Sequence, residues 1–446
     1  MFKGLPRLAM GALVIAFTFA APPAFAQTPL KIDGADTAWM IGATGLVLMM
    51  TIPGLALFYS GMVRKKNVLA TMAQSLAETF AVSVLWAVLA YSLTFTGSGA
   101  VLGSLQRIFL KGMELNSIST LAPTIPESLF MIYQMTFAVI TVALVAGSVA
   151  DRLRFSAFML FCVLWLFIVY VPIAHWIWGG GFLGTGALTG GKMVLDFAGG
   201  TVVHLNAGVA GLVAALVIGK RRGYGHDNLA PFDLSLAVIG TGLLWVGWFG
   251  FNGGSALAAN GRAAMAIVCT HLAASAGAAT WMAIEWKTRG KPSVLGMISG
   301  AVAGLGTITP ASGFVTPMEA LLIGVIAGGV CFWSCTWLKL KLNYDDSLDV
   351  FGVHGIGGLT GTFLAGVLAV GAISASPEVP NGIQGLIEGN VHLVWAQLYG
   401  IVVIAAWSGI ATFGILKLIG VLVPLRVRQE DEIIGLDVSQ HGEALQ

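Results

Sequence analysis

Asp196-Phe-Ala-Gly-Gly-Thr-Val-Val-His204-Leu-Asn-Ala-Gly208 decides how this chain of 446 residues is read. From about 199 to 219 there is no formal charge, so the stretch reads as a helix crossing a membrane with His204 near its middle. A polar ring at that depth is costly and marks a functional site by default. Working outward, Asp349-Val-Phe-Gly-Val-His354-Gly shows the same order, with an acid followed by a histidine at the start of a long apolar run. Two such sites suggest a pair.

Composition supports the membrane reading. Hydrophobic residues make up 57% of the chain, charged ones only 10%, and the mean hydropathy is +0.86, which excludes an ordinary soluble domain. The net charge of +2 is small and the basic residues fall in short clusters between apolar runs, an arrangement of topology signals and not of a nucleic-acid surface. Cys162, Cys269, Cys331 and Cys335 all lie in apolar segments and read as small core residues. Cys331 and Cys335 share a helix face, but without nearby histidine or carboxylate they make a weak metal site.

Lys3 and Arg7 precede an apolar run, and Ala24-Phe25-Ala26 has the small-x-small form of a cleavage site, so residues 1–26 read as a signal peptide. Eleven apolar segments follow, at about 37–61, 68–97, 128–148, 155–177, 198–220, 232–253, 262–286, 294–309, 314–338, 350–372 and 391–422. The membrane domain spans 27–425, and residues 426–446 form a tail. Connections after odd-numbered segments carry Arg64-Lys65-Lys66, Arg152 and Arg154, Lys220-Arg221-Arg222, Lys287, Arg289 and Lys291, and Lys339 and Lys341, with Arg426 and Arg428 after the last. The others carry only Arg107, Lys111, Lys192 and Arg262. The positive-inside rule therefore puts the N-terminus outside and the tail in the cytoplasm of a multi-pass plasma (inner) membrane protein. Glycine pairs such as Gly300 and Gly304, Gly324 and Gly328, or Gly357 and Gly361 place small residues on single helix faces for close packing.

Five is an odd number of crossings, so if segments one to five and six to ten are related units, the second is inverted. Segments five and ten then correspond, their histidines meet near the midplane, and the acids before them, Asp196 and Asp349, fall on opposite sides. His204 lies roughly 12 Å of helix beyond Asp196, well into a core about 30 Å thick. His175 and His271 have no counterpart in the other half and read as packing or interhelix hydrogen-bonding residues; Glu78, inside the second segment, has no assigned role. Two neighbouring imidazoles in an apolar passage favour the neutral form, and one can donate an N–H to the other. Such a pair suits a small neutral solute or a proton relay and offers too few oxygen ligands for a hydrated metal ion.

The chain resembles the bacterial ammonium transporters of the Amt/Mep/Rh family over essentially all of its mature length. The resemblance is carried by the two stretches quoted above, by Trp248-Phe-Gly-Phe-Asn-Gly-Gly-Ser255, and by the tail Gly435-Leu-Asp-Val-Ser-Gln-His-Gly442. It implies a trimer of eleven-helix protomers, each with its own pore and an inverted five-helix repeat. It further implies an outer recruitment site from Phe137, Trp178 and Ser255, and a stacked aromatic gate of Tyr133 and Phe137 with Phe251 nearby. Trp248 is expected beside the twin histidines His204 and His354, Thr309 near the outer vestibule, and Asp196 close to the recruitment site as an architectural acid. Aromatic faces attract a cation and a serine hydroxyl accepts an N–H. Tyr133 stands where many bacterial members have phenylalanine, and the Gly-rich connection 179–195 departs from the pattern. The tail resembles a segment that helps dock a PII regulatory protein at the inner face.

The function expected from this resemblance is an ammonium transporter: ammonium is recruited outside, deprotonated, and conducted as ammonia past the histidines with net charge movement. An ammonium sensor and an Rh-like electroneutral ammonia channel are the alternatives of the same fold. No enzymatic activity, cofactor or nucleic-acid partner is expected. The histidines as haem or metal ligands of an oxidoreductase form a third, weaker class, and no GxxxxGK[ST] loop supports an ATP-driven pump.

Overall fold

Polar residues set the ends of the apolar segments, and helix-capping chemistry fixes where several of them start. The computed structural model describes residues 30–187, 191, 193–376 and 379–445. Residues 1–26, where the sequence predicts a signal peptide, and Lys192 lie outside the described residues.

The described chain is helical and, apart from one isolated bridge between Leu153 and Arg426, has no β pairing among the described residues. Ten helices are long and apolar enough to cross a membrane: α1 (Gly34–Met62), α2 (Lys65–Phe95), α3 (Glu127–Val149), α4 (Phe155–Trp178), α5 (Gly200–Ile218), α6 (Leu234–Gly253), α7 (Gly261–Arg289), α9 (Pro317–Leu342), α10 (Phe351–Leu368) and α11 (Val391–Leu422). The apolar α8 (Val294–Ile308) is shorter and fills the eighth expected position. The architecture is thus all-α and polytopic, with eleven apolar helices among the described residues.

Starts are fixed by side chains that accept from otherwise orphaned N–H groups. Asp33 caps α1 through Ala35 N and Asp36 N at 2.8 and 3.0 Å, and Asn260 caps α7 through Ala263 N at 3.0 Å. Thr316 and Glu319 form a capping box on α9, with Pro317 at a first-turn position where its missing N–H costs nothing. Small residues bring α7, α8 and α9 together. A Cβ at Gly304 would stand 2.3 Å from the Ala273 carbonyl oxygen and one at Gly324 only 2.4 Å from the same atom, so glycine is required at both contacts.

The clustered cations gather on one face, called here the basic face. Arg64 pairs with Asp151 at 2.9 Å and Arg221 with Asp345 at 2.7 Å. Arg152, wholly buried, donates to the carbonyls of Gly219 and Asp345, and burial pushes its guanidinium down to about 10. The tail, with its short helix α12 (Gln429–Ile434), lies along this face. Asn67 Oδ1 accepts from Leu436 N at 2.8 Å, Asp437 accepts from Ala70 N at 2.7 Å and so caps the start of α2, and Arg426 pairs with Glu432 at 2.7 Å.

Candidate functional site

α5 and α10 cross at glycines. A Cβ at Gly208 would meet the Cα of Gly355 at 2.2 Å, and one at Gly358 would meet Leu205 N at 2.6 Å and His204 Cβ at 2.9 Å. Each glycine stands four residues after its own histidine and packs one residue past the other helix's histidine, so the crossing is pseudo-twofold. Without side chains at this point the two rings meet. His204 Nδ1 lies 3.2 Å from His354 Nδ1, the ring centroids are 5.2 Å apart and the planes differ by 14°. Both histidines sit in π-helical turns, Gly200–Leu205 and Phe351–Gly355, a widening of the helix common at functional sites.

The Nδ1 contact fixes the polarity of the pair. For one neutral ring to donate through Nδ1, the other must accept there and carry its own proton on Nε2. The two Nε2 atoms are then unlike, one a donor and one an acceptor, and a shift of protons through the pair exchanges them. The Nε2 of His204 is buried and has no partner among the described residues. The lumen around the pair measures about 10 Å³, enough for little more than one water-sized molecule. Apart from the imidazoles and the Trp248 indole its walls are apolar, including Leu55, Ile140, Leu144 and Val302.

Trp248 lies face to face with His204, centroids 5.4 Å apart and planes 19° apart. Its indole N–H donates to Thr309 Oγ1 at 2.9 Å, and that hydroxyl donates to Leu305 O at 2.8 Å. Thr309 is fully buried, and its hydroxyl ties the indole that lies parallel to the imidazole to the end of α8.

Phe137 and Phe251 stack at 4.3 Å with 25° between planes and separate the lumen from a cavity of about 260 Å³ on the face opposite the basic one. That cavity is lined by Phe137, Trp178 and Ser255 together. Trp178 stands edge-on to Phe137 at 5.7 Å, and Ser255 Oγ donates to Phe251 O at 2.8 Å and lies 3.4 Å from the Tyr133 hydroxyl, which leaves an oxygen lone pair for the cavity. Tyr133 packs edge-on to Phe137 at 5.0 Å and is as fully buried as Phe137 and Phe251, its hydroxyl reaching the carbonyls of Gly250 and Phe251 at 3.1 and 3.0 Å. The hydroxyl that phenylalanine would lack is thus spent on the π-helical turn Phe249–Gly253 that carries Phe251.

Asp196 accepts from the N–H groups of Gly199, Gly200, Thr201 and Val202 at 2.6 to 3.0 Å and from the Thr201 hydroxyl at 2.5 Å. Burial raises its carboxyl above the usual range while these donors pull it back. Its own carbonyl accepts from Trp178 Nε1 at 2.8 Å, which ties the cavity wall to the start of α5. The counterpart in the other half is Asp346 and not Asp349. Asp346 stands eight residues before His354, as Asp196 does before His204, and accepts from Phe351 N at 2.7 Å. Asp349 instead holds Lys339 at 2.7 Å from a left-handed backbone, φ 57°, and lines a cavity of about 320 Å³ on the basic face that reaches His354. The equal spacing of eight was present in the sequence; adjacency to the Val-Phe-Gly-Val-His motif hid it.

Other polar residues of the membrane region stand apart from this passage. His175 places Nδ1 and Nε2 at 2.7 and 2.6 Å from the carbonyls of Thr94 and Gly99 and pins the loop after α2. His271 packs on Trp245 and Phe249 at 5.5 and 6.2 Å. Glu78 is fully buried, with one oxygen bonded to Thr79 and the other without a partner. Among the described residues no group of three or more His, Cys, Asp or Glu is arranged to hold a metal ion.

Fold and site together define a multi-pass helical membrane protein with a narrow apolar passage between cavities on its two faces. The match to the Ammonium Transporter Family over residues 38–445 shows which one: the chain belongs to that family. It is 47% identical to the ammonium transporter of Bacillus subtilis (strain 168), covering 92% of this chain and 97% of that one, and 42% identical to ammonium transporter Amt1 of Archaeoglobus fulgidus, covering 92% and 98%. The solved structure of Candida albicans Mep2 superposes with a TM-score of 0.82 at 37% identity over 93% of this chain and 90% of that one. A Sensor Amt Protein superposes with a TM-score of 0.81 at 26% identity over 91% and 98%.

Proposed function

We propose that this protein moves ammonium across the membrane by taking it up as a cation, removing a proton and conducting ammonia past His204 and His354. One observation carries the reading: the Phe137–Phe251 stack divides a polar-rimmed aromatic cavity from a lumen of about 10 Å³ walled by apolar groups and two imidazoles. An ammonium ion is stabilised in the first compartment by the faces of Phe137 and Trp178 and by a free lone pair of Ser255. In the second it would lose its hydration without gaining a counter-charge, a heavy cost in a low-dielectric passage. Ammonia is neutral, the size of water, and both accepts and donates hydrogen bonds, which matches the unlike Nε2 atoms of the pair. Potassium has no proton to release and is excluded by the same cost.

The basic face is the cytoplasmic one by the positive-inside rule. Ammonia then leaves through the 320 Å³ cavity beside His354, and the tail lies where a PII-type regulatory protein would dock. The proton follows by its own route, giving net charge movement. A homotrimer in the plasma membrane, each protomer with its own passage, completes the reading.

Likeness to the Sensor Amt Protein supports a second reading, ammonium sensing on the same fold. Currents from proteoliposomes after an ammonium jump, with a pH dye in the lumen, separate the outcomes. A saturable ammonium current without a potassium current is the expected result. An alkaline lumen without current means electroneutral ammonia conduction, and neither signal means sensing.

A further inference from the structure

Phe130, Gln134 and Phe137 stand four and three residues apart on α3, one stripe of that helix, and all three line the 260 Å³ cavity outside the aromatic stack. Gln134 is 9% exposed, and its carboxamide makes no hydrogen bond to any described residue. The amide reaches the open space of the cavity, so its carbonyl oxygen and two N–H groups are free to meet whatever the cavity holds. The rest of the wall offers it nothing: the nearest polar side chain of the cavity, Ser255, has its proton committed to Phe251 O at 2.8 Å. Two acceptors, one amide oxygen and one hydroxyl oxygen, therefore share a chamber with aromatic faces. The aromatic faces decide which side of the amide is used: their π surfaces favour a small cation, and the amide and hydroxyl oxygens are the groups that can accept its N–H donors.

We infer that the Gln134 carboxamide oxygen is a second hydrogen-bond acceptor for the cation in this cavity, so that Gln134 and Ser255 hold it from two directions above the Phe137–Phe251 stack. The inference rests on the cavity being the ammonium recruitment site. A site with two directed acceptors distinguishes ammonium from potassium before any proton is lost, because a spherical ion offers no N–H to aim. It also orients the bound ion, leaving its remaining N–H groups toward the aromatic faces.

The test is ammonium-evoked current in proteoliposomes of the parent, Gln134→Leu, Gln134→Glu and Ser255→Ala proteins, read as KM and kcat separately. Gln134→Leu keeps the volume but removes the acceptor, and is expected to raise KM about tenfold, the loss of one hydrogen bond to a charged group, with kcat within about twofold of the parent. Gln134→Glu keeps an acceptor oxygen and is expected to restore KM to the parent value or below. An unchanged KM in Gln134→Leu beside a raised KM in Ser255→Ala overturns the inference and leaves the recruitment site standing. Unchanged KM in both overturns the recruitment site as well. A fall in kcat alone, or a Gln134→Glu protein that behaves like Gln134→Leu, assigns Gln134 to packing and overturns the inference.

Discussion

The starts of α5 and α10 perform the same task with unequal means. Asp196 satisfies four backbone N–H groups and a hydroxyl, whereas Asp346 takes Phe351 N and leaves Oδ1 buried without a partner. Both acids set a histidine eight residues further on at the same crossing. Pseudo-symmetry is therefore kept where the rings meet and relaxed at the two mouths. The Asp196 end also anchors Trp178 of the cation cavity and needs a rigid wall. The Asp346 end opens on a solvated cavity bordered by Lys339 and Asp349 and is electrostatically adjustable.

That contrast can be broken by mutation. Asp196→Ala is expected to have the largest effect, since it orphans four N–H groups at about 1–3 kcal/mol each; little folded protein should survive detergent extraction, as read by size-exclusion chromatography. Asp346→Ala removes fewer bonds and is expected to give folded protein with a lower thermal midpoint and reduced current. If the two variants were equally damaged, the asymmetry described here would be wrong. Thr309→Val strands the Trp248 indole N–H and frees its ring from His204; a several-fold drop in kcat with little change in KM is expected from transport kinetics.

The smallest effect is a pH dependence. Burial is the main cause that pushes the Asp346 carboxyl up to about 6, with Lys339 opposing it and Asp349 adding to it. The unfolded value lies near 3.9, so between about pH 6 and pH 4 the folded protein binds a proton that the unfolded chain does not. Acidification through that window thus adds stability through this group. Asp346→Asn should flatten the rise in thermal midpoint between pH 7 and pH 5 relative to the parent, as read by thermal shift in detergent. Asp345, held below its usual range mainly by Arg221 in spite of burial, contributes with the opposite sign and only at lower pH.

The crossing segments and both histidines were legible in the sequence because a membrane leaves few places for charge, and a lone polar ring among apolar residues stands out. The gathering of the clustered cations on one face was legible for the same reason. Tertiary partners were not. Gln134 is one of several polar residues on α3, beside Thr136 and Thr141, and only the chamber gives it meaning. Thr309 and Tyr133 were placed by motif, yet their hydroxyls reach sideways to Trp248 and to the carbonyls of Gly250 and Phe251, contacts that no periodicity encodes. Asp349 masks Asp346 in the sequence because it stands nearer the histidine along the chain, although only Asp346 shares the spacing of eight that Asp196 has.

The most direct test of the central claim is the ammonium-jump current of the His204→Ala/His354→Ala double variant, set beside the parent and beside potassium. The account predicts that the parent conducts ammonium saturably and not potassium, and that the double variant either loses the ammonium current or gains a potassium current. A double variant with the parent's ammonium current and full potassium exclusion would contradict it.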